Sequence, residues 1–186
     1  MEFNKKHIVL ILGLLSSIFS FLFFARQHDT YHLLNLGGIL ISIISFLIIL
    51  FSRGKIISKL AWTSIIVLAI FIEIFSSSYL IESSYFIFLK KNYKELNEVN
   101  KLLENKIGEI SVMKDYIKDN GVLTESEKIA LIKLREKLGV YMIVKSDVEI
   151  YYGLWGFLDN RLGVTYCMTN KNINNSYKHI KENWYH

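Results

Sequence analysis

Proline is absent from this 186-residue chain, and there is a single cysteine, Cys167. Because proline breaks helices and central strands, its absence permits long uninterrupted elements. One cysteine excludes an intrachain disulfide, so oxidation cannot help to hold the fold together. We predict that Cys167 is a buried, unreactive thiol in a strand; the alternative is a nucleophile.

Recognisable catalytic motifs are absent as well. The sequence has no HExxH pattern, no phosphate-binding loop, no dinucleotide fingerprint and no nucleophile elbow. His179, His186 and Cys167 are the only soft metal ligands in the second half of the chain, and their spacing is not typical of a zinc site. We therefore expect no enzyme activity, no metal and no cofactor.

Long apolar runs, by contrast, occupy the first half of the chain, at about residues 8–25, 33–51 and 60–81. Each has about the length of a helix that crosses a hydrocarbon core near 30 Å thick. No small-x-small cleavage site follows the first run, so we interpret it as a retained span and not a signal peptide. The third continues to about residue 89, either as one helix that leaves the bilayer near residues 79–82 or as a span with a short interfacial segment.

The remaining residues are patterned as a small mixed domain. Apolar residues at helical spacing run from about residue 92 to 119, with a bend or break at Gly108. Thr124 and Glu127 have the spacing of a capping box, before a second helix that ends at Gly139. Strands are predicted near residues 140–144, 148–154 and 164–168, a loop over 159–163, and a short helix near 176–182.

The predicted fold class is therefore membrane α-helical. Three transmembrane helices lie within residues 1–89, and residues 90–186 form an extramembrane α+β domain with two or three helices and a short antiparallel sheet. These two regions are the predicted domains of the chain.

Basic residues beside the apolar runs predict the orientation. Cytoplasmic loops are enriched in lysine and arginine, which favours a cytoplasmic N-terminus and a C-terminal domain outside the cytoplasm, in a bacterial cytoplasmic membrane. Since many of the basic residues behind the net charge of +5 flank the runs, and no basic patch is interleaved with aromatic residues, we expect no nucleic-acid binding. The basic residues on the cytoplasmic side would be Lys5, Lys6, Arg53, Lys55 and Lys59. Those on the other side of the membrane would be Arg26, Lys90, Lys91 and Lys94.

Glu73 is the intramembrane functional candidate. It lies near the middle of the third run, where an ionised side chain is costly. No lysine, arginine or histidine stands in the middle of another run, so we expect Glu73 to be uncharged and hydrogen-bonded to hydroxyls such as Ser17, Ser42 or Ser45. It is either a proton-sensing or partner-recognising carboxyl or a packing residue.

Small residues recur four positions apart in the first two runs, as in Gly13 with Ser17 and Gly38 with Ser42. Such pairs let helix backbones approach closely inside a membrane. We predict that these four residues are helix-packing positions. The contact is either among the spans of one chain or with a second copy, in a homo-oligomer, or another membrane protein.

Aromatic residues are dense in the tail, and a polar run follows Trp155 and Phe157. Tyrosine and tryptophan dominate binding hot spots, although the same residues can also form the core and the membrane-facing edge of a small domain. The binding-surface candidates are Trp155, Phe157, Asp159, Asn160 and Arg161.

By elimination, the sequence favours a membrane protein that acts by binding another membrane or secreted protein. An immunity or exclusion-type protector, or an accessory regulator of a membrane complex, would suit its size. One alternative is a ligand-sensing effector whose tail controls the oligomerisation or permeability of the spans. Another is a small transporter subunit or membrane enzyme that uses Glu73. In each case the lipid bilayer is a partner.

Overall fold

The chain divides into two units, Met1–Ser84 and Tyr85–His186, in the computed structural model. The structure describes residues 5–25, 28–52, 55–114, 116–157, 160–168 and 178–186. Arg26, Arg53 and Asp159 lie outside these residues, as do the first two positions of the helix predicted near 176–182.

The first unit is helical. Helix α1, Lys5–Ser20, is followed by a 3₁₀ turn, Phe21–Phe23, and α2 spans His28–Phe51. Helix α3 spans Ile56–Lys91, 36 residues without a break. The run from residue 60 to 89 is therefore a single helix, and no separate segment interrupts it.

A small apolar core joins the three helices. Leu10 of α1, Ile49 of α2 and Trp62 of α3 are buried together. The ring of His7 stacks on that of Trp62, with centroids 4.4 Å apart and planes 2° from parallel. Four partly buried side chains complete the cluster: Ile11, Leu14, Phe46 and Ile66.

Among the described residues, two helices are long and apolar enough to cross a membrane, by length and composition. They are Thr30–Phe51 and Ile56–Lys91, with mean hydropathies of 2.6 and 2.1, whereas the apolar helix His7–Phe23 is shorter. A core helix of a soluble protein passes the same test but is mostly buried. In α2 and α3 only 22% and 6% of the most apolar stretch is buried inside the protein.

The second unit contains helices α4, Tyr93–Leu103, and α5, Glu125–Leu138. Seven strands form one antiparallel sheet in the order β2-β1-β3-β4-β5-β7-β6. The edge strands β2 and β6 have only two and three residues, which limits pairing with other chains. The strands are β1 Ile110–Val112, β2 Ile117–Lys118, β3 Met142–Lys145, β4 Glu149–Phe157, β5 Asn160–Cys167, β6 His179–Lys181 and β7 Trp184–Tyr185.

One face of this sheet forms the core of the second unit. Residues directly opposite each other in antiparallel strands share a face, and the register aligns Val112 with Ile143, Ile143 with Tyr152, and Tyr152 with Val164. All four are buried. Helix α4 lies against them, and the Tyr152 hydroxyl donates a hydrogen bond to Oδ1 of Asn100 on this helix at 2.6 Å. Helix α5 packs against α4 and contacts β1.

The predicted start and end of α5 are confirmed. The Thr124 hydroxyl accepts from the Glu127 amide, and the Glu127 carboxylate accepts from the Thr124 amide at 2.8 Å. At the other end Gly139 adopts φ +69°, the left-handed conformation that glycine adopts without a steric penalty.

The predicted helical stripe over residues 92–119 is wrong beyond Leu103. Gly108 has φ +87°, and the chain then forms β1 and β2. Ile110, Met113 and Ile117 happen to have helical spacing, but Ile110 pairs with Lys145 of β3 and is fully buried in the sheet. Pairing with a distant strand overrode a local periodicity only a few residues long.

The remaining differences also concern the sheet. The predicted sheet was short, with three strands, and the structure has seven. β5 begins at Asn160, within the predicted loop, because β4 and β5 form one long hairpin. The predicted last helix is instead β6, which pairs with β7 across a turn that includes Glu182 at φ +50°.

Cys167 is a free, buried thiol at the end of β5, as predicted, and burial raises its pKa.

Candidate functional site

The close approach of α1 and α2 is set by two glycines. A Cβ added to Gly38 would lie 2.6 Å from the carbonyl oxygen of Gly13 and 2.7 Å from the amide nitrogen of Ser17. A Cβ on Gly13 would lie 2.6 Å from Oγ of Ser42. Because no side chain fits these positions, the four predicted packing residues meet at one crossing within the chain.

Glu73 of α3 lies beside this crossing and is half-buried. The Ser17 hydroxyl donates to Oε1 of Glu73 at 2.8 Å. Ser42 does not bond to Glu73; its hydroxyl donates to the Gly38 carbonyl at 2.7 Å, within α2. Of the serines predicted as partners, Ser17 is therefore the one that bonds to Glu73.

Asn35 of α2 completes a small polar cluster around this carboxyl. Its amide nitrogen lies 3.4 Å from Oε1 of Glu73, 3.3 Å from Oγ of Ser17 and 3.3 Å from Oγ of Ser20. Sequence reasoning missed Asn35, although it is an amide within a long apolar run, and polar side chains in such runs commonly bond across helices. We define Ser17, Ser20, Asn35 and Glu73 as the polar cluster.

The polar cluster can accept a hydrogen bond from one more donor. Both donors to Glu73 reach the same oxygen, Oε1. Within the described residues no group bonds to Oε2, and no basic side chain lies within ion-pair distance of the carboxyl. A crevice of about 120 Å³ opens beside it, and its polar lining is Ser17, Ser42 and Glu73. Its other lining residues are apolar: Leu14, Ile39, Ile43, Phe46, Ile66 and Ile70.

The predicted binding surface in the tail lies on the far end of the β4–β5 hairpin. The register pairs Trp155 with Leu162, Gly156 with Arg161 and Phe157 with Asn160. β3 pairs with β4 only as far as Gly153, and β7 pairs with β5 only at Thr165 and Tyr166. Within the described residues, positions 154–157 and 160–162 therefore extend beyond the neighbouring strands as a two-stranded ribbon, which we call the hairpin arm.

Two glycines mark the point where the hairpin arm leaves the sheet. Gly153 and Gly163 lie opposite each other, and the register shifts between Gly153 and Trp155. A Cβ on Gly153 would lie 2.5 Å from the Tyr141 ring, and one on Gly163 would collide with the Tyr152 carbonyl and the Tyr151 ring. A register shift of this kind bends and twists a strand, and here it lies at the boundary between the sheet and the arm.

No group of three or more histidine, cysteine, aspartate or glutamate side chains among the described residues is arranged to hold a metal ion. No protein-family model, no curated protein and no solved structure is significantly similar to this chain.

Proposed function

We propose that this chain is a three-span membrane protein that binds another membrane or secreted protein through its hairpin arm. The arm carries the proposal. An isolated two-stranded ribbon is marginally stable in water, and this one projects past the sheet that supports its base. A partner that pairs with or packs on the ribbon would supply the missing contacts.

The exposed apolar surface of the helices supports insertion into a bilayer. Leu12 of α1, Leu36 of α2 and Phe75 of α3 are each at least 60% exposed. Large contiguous apolar surfaces are rare on soluble monomers and are normal where lipid is the solvent. The polar cluster, by contrast, lies between the helices, where Ser17 and Ser20 are buried and Asn35 and Glu73 are half-buried.

Helix α1 is the shortest of the three and still reaches the required length. Its 16 residues rise about 24 Å, and the following 3₁₀ turn adds about 6 Å. Together these match a hydrocarbon core near 30 Å. The proposed orientation keeps the N-terminus in the cytoplasm and the second unit outside.

Membrane insertion is tested by carbonate extraction of the full-length protein. We expect it to stay in the membrane pellet, and recovery in the wash would refute the three-span proposal.

A reporter fused after His186 tests the orientation. Activity only of a reporter that works in the cytoplasm would contradict a tail outside.

Partner binding is tested with a photo-crosslinking amino acid placed at position 155 or 157 of the full-length protein. We expect a product of one defined mass from both positions, lost when Arg161→Glu is added. Position 133 is the matched control, because Lys133 is exposed on α5 and lies outside the hairpin arm. No product from the arm, or the same product from position 133, would contradict the proposal.

A second candidate function is favoured by the polar cluster. A carboxyl with one unbonded oxygen between three helices suits an effector whose helices rearrange when Glu73 changes its hydrogen-bond partner. In that case Glu73→Gln would abolish a permeability change seen on expression, while Arg161→Glu would leave it intact.

A further inference from the structure

A groove of about 360 Å³ lies in the second unit, apart from the polar cluster and the hairpin arm. Phe86, Leu89, Lys90 and Tyr93 line one side of it, at successive turns of the helical chain. Leu96 of α4 and three residues of the β6–β7 hairpin line the rest: Lys181, Glu182 and Trp184.

The groove has an apolar floor and exposed aromatic walls. Leu89, Leu96 and Trp184 are buried, whereas Phe86 and Tyr93 are 45% and 53% exposed. Aromatic surface left in water forfeits burial free energy in proportion to its exposed area. An apolar occupant that covers both rings would recover part of it.

The rim of the groove carries excess positive charge. Two lysines, Lys90 and Lys181, and one acidic residue, Glu182, line the groove. Lys181 pairs with Glu182 at 3.2 Å, but both side chains are more than half exposed, and such a pair is weak enough to leave Lys181 available to a phosphate. Lys90 is exposed and has no ion pair among the described residues. Lys91, the last residue of α3, and Lys94 of α4 follow Lys90 in the sequence. The ligand that complements this groove is therefore apolar along most of its length and anionic at one end.

We propose that the groove holds one anionic phospholipid, with an acyl chain over Leu89, Leu96 and Trp184 and its phosphate at Lys90 and Lys181. This inference rests on the proposed membrane insertion, since a bilayer delivers the lipid. Phe86 belongs to α3, the helix whose exposed apolar side chains include Phe75 and Tyr79. Tyrosine and phenylalanine in that stretch suit the level of the lipid head groups.

The test places the full-length protein in nanodiscs of phosphatidylcholine mixed with phosphatidylglycerol and identifies the retained lipid by native mass spectrometry. We expect one phosphatidylglycerol to be retained in preference. Lys90→Gln with Lys181→Gln should reduce that preference roughly tenfold or more, since a lysine near an anionic surface contributes about 1 kcal/mol. The matched control is Lys118→Gln with Lys133→Gln, two exposed lysines outside the groove, which should leave the preference unchanged.

Two further measurements separate the contribution of the acyl chain to lipid retention from that of the phosphate. Tyr93→Ala should lower the retention of both lipids, because it removes a wall of the groove without removing charge. Inorganic phosphate should not displace the lipid; if it does, the acyl contact is absent and the proposal fails. Equal retention of both lipids by the wild type, or a peptide recovered in place of the lipid, would also overturn it.

Carbonate extraction of the same variants distinguishes failure of the groove proposal from failure of the three-span proposal. Protein that stays in the membrane but shows no lipid preference refutes only the groove proposal. Protein that leaves the membrane refutes the three-span proposal itself.

Discussion

The two units of this protein place polar and apolar side chains in opposite ways. In the helical unit apolar side chains cover the outside, and the fully buried apolar cluster has three members, Leu10, Ile49 and Trp62. In the second unit the apolar side chains of β1, β3, β4 and β5 are enclosed under α4. The three-span proposal accounts for this difference, because the arrangement that is stable in lipid is the reverse of the one that is stable in water.

Interior polar groups also serve the two units differently. In the helical unit the polar cluster joins α1, α2 and α3 through side-chain hydrogen bonds. In the second unit Lys145 lies in the buried row of the sheet, and its ammonium donates to the carbonyl oxygens of Lys106 and Gly108 at 2.5 and 3.1 Å. That lysine therefore ties the loop between α4 and β1 to the sheet.

The largest effect is expected at the crossing of α1 and α2. Gly38→Leu should destabilise the helical unit by about 3 kcal/mol, because the new side chain meets the backbone of Gly13 and Ser17. Gly37→Leu is the matched control, since no atom lies within 4 Å of a Cβ there. Thermal unfolding in detergent measures both variants, and equal melting temperatures would show that the close crossing does not matter.

Lys145→Met tests the polar anchor of the second unit. The substitution keeps the apolar stem and removes the donor to two carbonyl oxygens, which should cost about 2 kcal/mol in the free energy of unfolding. Lys133→Met, on the exposed face of α5, should change it little. Denaturant unfolding of the full chain in detergent measures the difference. An unchanged midpoint for Lys145→Met would contradict the role assigned to it.

Tyr152→Phe should have a smaller effect on the same unit. The phenol is fully buried, and its loss leaves Oδ1 of Asn100 without this donor, at a cost of about 1 kcal/mol. Tyr116→Phe is the control, because Tyr116 is exposed. If the two variants unfold at the same denaturant concentration, the Tyr152–Asn100 bond does not stabilise the contact of α4 with the sheet.

The smallest effect is expected from the surface pair at the start of α5. The Lys106 ammonium, 2.6 Å away, and the Thr124 amide lower the pKa of Glu127 from 4.5 to about 2. A lowered folded-state pKa stabilises the fold above pH 4.5, and this contribution is lost as the pH falls towards 2. Glu127→Gln should therefore flatten the pH dependence of unfolding in this range, whereas Glu109→Gln should not. Parallel curves for the two variants would refute the assignment.

The sequence predicted local features better than the size of the sheet. The capping box at Thr124 and the left-handed end at Gly139 depend on residues next to each other, and both are confirmed. β1, β6 and β7 have two or three residues each, too few to show a periodicity. Their pairing partners lie far along the chain, so their positions follow from the sheet as a whole.

The candidate sites divide in the same way. The sequence pointed to Glu73 and to the small residues of α1 and α2, because a carboxyl or a glycine in a long apolar run is conspicuous. It did not pair Glu73 with Asn35, nor show that β4 and β5 extend beyond their neighbours, since both depend on helix rotation and strand register.

The sequence by itself determined the division of this protein into an apolar helical half and a mixed half, because hydropathy and helix length are properties of the local chain. The tertiary structure alone decided which side chains meet: Ser17 and Asn35 at Glu73, the two glycines at the helix crossing, and the groove lined by Lys90 and Lys181. Contacts between residues distant in sequence depend on helix packing and strand register, so they cannot be predicted from the local sequence pattern.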